Sequence, residues 1–98
     1  MKSKLCDAIA DKKIIQFYYE GGIRVVEPHC YGIHKTTGKE VLCAFQTEGF
    51  SRSGGLPGWR FFIIDKVSQL KVRKEHFIEP RPLYNPNDKR MSTIFCNV

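Results

Sequence analysis

The chain has little of what a membrane or secreted protein needs. None of its apolar runs approaches the roughly 20 residues of a spanning helix. Lys2 and Lys4 lead into no long apolar segment of the kind a secretory leader carries. A cytoplasmic protein with no membrane partner is therefore expected. The four cysteines, Cys6, Cys30, Cys43 and Cys96, include no C-x-x-C pair. In a reducing compartment they are expected to be free thiols, several of them buried as small apolar groups. His29, Cys30 and His34 lie close together and Cys43 would complete a set, but their spacing matches no standard zinc framework. A strand would also point His29 and Cys30 to opposite faces. No metal or other cofactor is expected.

Nucleophile signals are equally scarce. No serine sits in an elbow motif, no cysteine in a Cys–His context, and Glu27 and Asp65 are isolated carboxylates suited to pairing with Arg24 or Arg60. An enzyme is not expected. Acidic residues number 10 against 16 Lys and Arg, leaving a net charge of +6. That excess favours nucleic acid, nucleotides or other anions through long-range attraction.

What is present is enough for one domain. The chain has 98 residues, 42% hydrophobic and 12% aromatic, which is enough apolar surface to offset chain entropy around a single core. Ser3 suits a helix N-cap. Leu5, Ala8 and Ile9 follow at helical spacing, and Lys12 and Lys13 suit the C-terminal end, so a helix is expected over 3–13. Ile14 to Tyr19 is β-branched and aromatic, a strand, and Glu20-Gly21-Gly22 is a hairpin turn. Ile23 to Ile33 returns, with a bulge expected around Glu27-Pro28-His29 because Pro28 has no N–H to donate.

After a turn at 35–38, Lys39 to Gln46 alternates Val41, Cys43 and Phe45 with Leu42 and Ala44. Thr47 to Gly58 is irregular, and strands follow at 59–65 and 66–73. Residues 79–98 form a proline-punctuated extension ending in a possible strand over 93–96. One helix and about five short strands point to a mainly β domain, a small five-stranded SH3-like barrel over 1–78. The C-terminal extension at 79–98 would pack on the barrel or on a partner.

Within the run Trp59 to Ile64, period-2 alternation puts Arg60, Phe62 and Ile64 on one face and Trp59, Phe61 and Ile63 on the other. If the first face fills the core, the second is an apolar stripe that needs a cover. That cover is either the tail (Leu83, Tyr84, Ile94, Phe95) or a partner. Gly49 to Gly58 is either a plain hairpin loop or an anion cradle. It ends in no G-K-[ST], so it is no P-loop.

The ordered set Phe17-Tyr18-Tyr19, Arg24-Val25-Val26-Glu27-Pro28 with Tyr31-Gly32, Val41-Leu42, and Arg60-Phe61-Phe62-Ile63-Ile64-Asp65-Lys66-Val67 resembles the WYL domain over about residues 5–78. The resemblance implies an SH3-like (Sm-like) barrel that senses a ligand for bacterial transcription regulators, here without a helix-turn-helix of its own. It implies binding of nucleic acid or a nucleotide-type ligand on a basic, aromatic surface. Arg24, Arg52, Arg60 and Lys66 would contact phosphate, and Tyr19 or Trp59 would stack on a base. Glu40-Val41-Leu42 stands in the place of the eponymous Trp-Tyr-Leu. Ile63 and Lys66 stand where the family carries arginines, so a two-pronged guanidinium grip is replaced there by an apolar group and a point charge. The alternative is a protein-interaction or homodimerisation module that works through the apolar stripe.

Overall fold

The computed structural model describes residues 2–52 and 54–98; Met1 and Ser53 lie outside the described residues. One helix, α1 (Lys2–Ala10), precedes six strands: β1 (Lys13–Tyr19), β2 (Gly22–His34), β3 (Glu40–Gly49), β4 (Gly58–Ile63), β5 (Ser68–His76) and β6 (Met91–Asn97). The helix is shorter than its periodicity predicts. Lys12 turns to φ +52° and Lys13 is already paired with His76 in the sheet. No helix among the described residues is long and apolar enough to cross a membrane.

All strand pairs are antiparallel, and the ladder runs β4-β3-β2-β1-β5 with β6 added on β2. The 13-residue β2 organises the sheet. Along one edge its first half, Gly22–Val26, pairs with β1 and its second half, Cys30–His34, with β6; the other edge pairs with β3. The register on β3 slips between Pro28 and Cys30, the bulge that proline requires. Glu20 and Gly21 both take positive φ (38° and 104°) to close the β1–β2 hairpin tightly. Gly32 is needed for a different reason. A Cβ there would lie 2.0 Å from the Thr93 carbonyl oxygen, so only glycine lets β6 approach.

The ladder stays open where a closed barrel is expected. After β4 the chain makes a single 3-10 turn (Ile64–Lys66) and crosses to the free edge of β1, so no ladder joins β4 to β5. The strand count is six because the tail contributes one to the same sheet.

Leu5, Ala8 and Ile9 of α1 bury against Ile15, Phe17, Val26, Tyr31, Leu42, Ala44, Phe62 and Ile64. Each large side chain taken fully from water contributes about 1.5–3 kcal/mol. Phe17 and Tyr19 meet Phe62 edge-to-face, centroids 5.0 Å apart in both pairs. Phe62 and Ile64 thus fill the core, as their alternation predicts. Phe61 and Ile63 face away and pack with Val41, Cys30, Cys43, Met91 and Tyr84 in a second cluster. The tail is their cover, but through Tyr84 and Met91. Leu83 stays 93% exposed, and Phe95 joins the main core against Tyr31.

The cysteines correct an expectation. Cys6 and Cys96 form a disulfide, their Cα atoms 5.7 Å apart, because α1 and β6 pack side by side on the core at bridging distance. Only Cys30 and Cys43 are free thiols.

Candidate anion-binding site

The β1–β2 hairpin, the start of the β3–β4 connection, the first residues of β4 and the 3-10 turn meet at one end of the sheet. Arg24 on β2 forms the floor. It is 6% exposed, its Nε donates to the Tyr19 carbonyl at 3.2 Å, and Nη1 donates to Gln46 Oε1 at 3.4 Å. Gln46 is itself buried. Its amide nitrogen donates to the carbonyls of Glu48 (3.0 Å) and Phe50 (2.8 Å), which turns the amide oxygen toward Arg24. The guanidinium lies 5.2–5.8 Å from the rings of Phe50, Tyr19 and Phe62. Among the described residues no carboxylate comes within ion-pair distance of it. Burial lowers its pKa, Tyr19 and Glu20 raise it, and the like charges of Arg60 and Arg52 lower it further.

Above this floor lie Arg52, Lys66 and Glu20. Lys66 Nζ pairs with Glu20 at 2.9 Å, both half-exposed. Glu20 is held below the usual carboxylate range, first by the Lys66 hydrogen bond, with Arg52 and Arg24 adding attraction. Arg60 Nη1 donates to the Trp59 carbonyl (2.8 Å), and Nη2 donates to Ser51 Oγ (3.2 Å) and the Gly54 carbonyl (2.8 Å). Its fork therefore ties the connection down by that segment's oxygens.

Arg24, Arg52, Lys66 and Tyr19 thus gather with Arg60 as the sequence suggests, while their roles differ. Tyr19 is buried, with its hydroxyl accepting from the Ile63 N–H at 3.0 Å, so its ring presents no stacking face. Trp59 is committed elsewhere. Its indole donates to the Pro82 carbonyl at 3.0 Å, and its ring packs among His29, Phe45 and Tyr84. The aromatic at the basic end is Phe50, 39% exposed, which sequence reasoning passed over. Its signal is Gly21-Gly22, since Cβ atoms there would come 3.0 Å and 2.4 Å from the Phe50 side chain.

Glu27 likewise departs from expectation. It pairs with neither Arg24 nor Arg60. Arg81 from the tail grips both its oxygens, at 2.6 and 2.8 Å, and lies over Phe45. On the edge that β1 and β6 share, no strand pairs with β2 at Glu27–His29, and there the Val98 N–H donates to the His29 carbonyl at 2.9 Å.

No protein-family model, curated protein or solved structure matches the chain. The chemistry of the basic end then rests on its own residues. A buried guanidinium backed by two solvent-facing cations and one exposed ring can hold a phosphate and stack a flat group beside it.

Proposed function

We propose that this protein is a regulatory ligand-binding module, not an enzyme, that takes nucleic acid or a nucleotide-type anion at its basic end and modulates transcription or a partner protein. The reading rests on Arg24, a buried cation without a carboxylate partner, lying beneath Arg52 and Lys66. Desolvating a charge is costly when no opposite charge sits directly against it, so an anion arriving from outside supplies the close partner that Glu20 does not. Arg52 and Lys66 make the first contacts, Arg24 is the floor, Arg60 shapes the wall, and Phe50 takes the stacking role expected of Tyr19 or Trp59. An SH3-like, WYL-type arrangement is supported by the long bent β2, which is shared by β1, β3 and β6. A cytoplasmic setting would hold Cys6 and Cys96 as thiols in contact, and mapping that pair in protein isolated under thiol-trapping conditions tests the placement.

The test is fluorescence anisotropy with a labelled single-stranded oligonucleotide over a salt series. Log affinity should fall with log salt by about 0.7 per phosphate held. The Arg52→Ala/Lys66→Ala double variant should bind at least tenfold more weakly. Absence of binding at low salt, or an unchanged double variant, refutes the reading.

A second reading has its own observation. Tyr18 and Ile23 stand directly opposite in the β1–β2 register, each about 40% exposed, and the Phe50 N–H donates to the Ile23 carbonyl. This apolar patch, rather than the covered Phe61–Ile63 stripe, is the surface a homodimer would use. A solution mass twice that of the chain, lost in Ile23→Lys, supports it.

A further inference from the structure

Cys30 on β2 and Cys43 on β3 are direct partners in the antiparallel register, so their side chains leave the sheet on the same face. Both are free thiols. Both line one cavity of about 350 Å³, together with the rings of Phe61 and Tyr84 and the Arg90–Asp88 ion pair. Directly opposed strand residues hold their Cβ atoms about 4.5–5.5 Å apart, whereas a disulfide needs about 3.8 Å. The two sulfurs are left unbonded on one face, where an atom between them can bridge the strands. At about 2.3 Å per metal–sulfur bond, a metal in line with two thiolates spans about 4.6 Å from sulfur to sulfur.

We propose that Cys30 and Cys43 form a two-coordinate site for a soft monovalent cation, copper(I), bound linearly between their sulfurs. The donor count selects the metal. Among the described residues no group of three or more His, Cys, Asp and Glu side chains is placed to hold an ion, so zinc finds no tetrahedral set. His29 cannot join, because both its ring nitrogens are engaged with backbone groups of Glu27 and Arg81. Thiolates without oxygen or imidazole partners favour copper(I) among the biological metals. The charge also fits. Two thiols lose two protons and take one Cu⁺, which leaves a bis-thiolate complex of charge −1 and changes no oxidation state. The Arg90 guanidinium beside Cys43 opposes that charge, with Asp88 acting against it on both thiols.

The test is an anaerobic titration of the whole chain, without added thiol, against copper(I) held by the chromophore bicinchoninate. One equivalent should pass to the protein. X-ray absorption of the loaded protein should show two sulfur neighbours and no nitrogen. Cys30→Ser and Cys43→Ser should each weaken uptake at least a hundredfold. If the buried Cys30→Ser variant fails to fold by circular dichroism, the partly buried Cys43→Ser decides alone. Uptake that survives Cys43→Ser, no transfer from the chelator, a nitrogen-containing shell, or a Cys30–Cys43 disulfide mapped in the native protein would each overturn the proposal.

Discussion

His29 Nε2 accepts a hydrogen bond from the Arg81 backbone N–H at 3.1 Å, across 52 residues of chain. Because an N–H can only donate, Nε2 must be unprotonated, and the proton sits on Nδ1, which donates to the Glu27 carbonyl at 2.8 Å. The ring is fully buried among Phe77, Trp59 and Tyr84. The tail is thus fastened by a histidine that must stay neutral.

Stability should fall in mild acid for this reason. Burial lowers the His29 pKa from 6.5, with the Arg81 charge adding to it and Glu27 opposing. Above about 6.5 both folded and unfolded chains carry a neutral ring, and the contribution is complete. As pH drops from there toward the depressed folded value, the unfolded chain binds a proton that the folded one refuses, and up to about 1.4 kcal/mol per pH unit is lost. Urea titrations at pH 7.5, 6.5 and 5.5 should show this slope in the native protein and a flatter one in His29→Gln. Equal slopes would refute the assignment.

Replacing Arg24 by methionine should separate stability from binding. The substitution removes a buried charge that has no carboxylate within ion-pair distance, but takes a donor from the Tyr19 carbonyl and Gln46 Oε1. The two effects oppose each other, so unfolding free energy should change by less than about 1 kcal/mol. Oligonucleotide affinity should fall at least tenfold. A variant that unfolds outright would mean that Arg24 is a structural cation.

Gly32→Ala should be among the most damaging single-methyl additions. The new Cβ meets the Thr93 carbonyl oxygen at 2.0 Å, a backbone atom that cannot swing aside. β6 must move off β2, which would break the pairing of Gly32 with Ile94 and its neighbours, at a cost of about 3 kcal/mol or more. Chemical denaturation measures it. A loss under 1 kcal/mol would show that β6 adds little to the fold.

Much of the β architecture was legible because period-2 alternation records which face a side chain buries. Phe62 and Ile64 inside, with Phe61 and Ile63 outside, follow from that alone. The proline at position 28 likewise announced a break in the ladder. What alternation cannot record is contact between distant segments. Arg81 on Glu27, Tyr84 stacked on Trp59, and Cys6 bonded to Cys96 arise from a tail whose prolines hide any period. The basic end was legible as composition and only partly as geometry. Five of the named residues meet there, while Trp59, beside Arg60 in sequence, turns to the other face of β4 because neighbours on a strand must diverge. Phe50 went unseen because it lies outside any alternating run.

The position of β6 bears on how the chain avoids sticking to its own copies. Without Met91–Asn97, the Cys30–His34 stretch of β2 would present a row of bare peptide N–H and C=O groups, flanked by Tyr31 and Ile33, to any strand that came by. Such an edge is a template for intermolecular pairing. Thr93 and its neighbours therefore keep that edge covered in the folded protein, and loss of this strand should show first as turbidity.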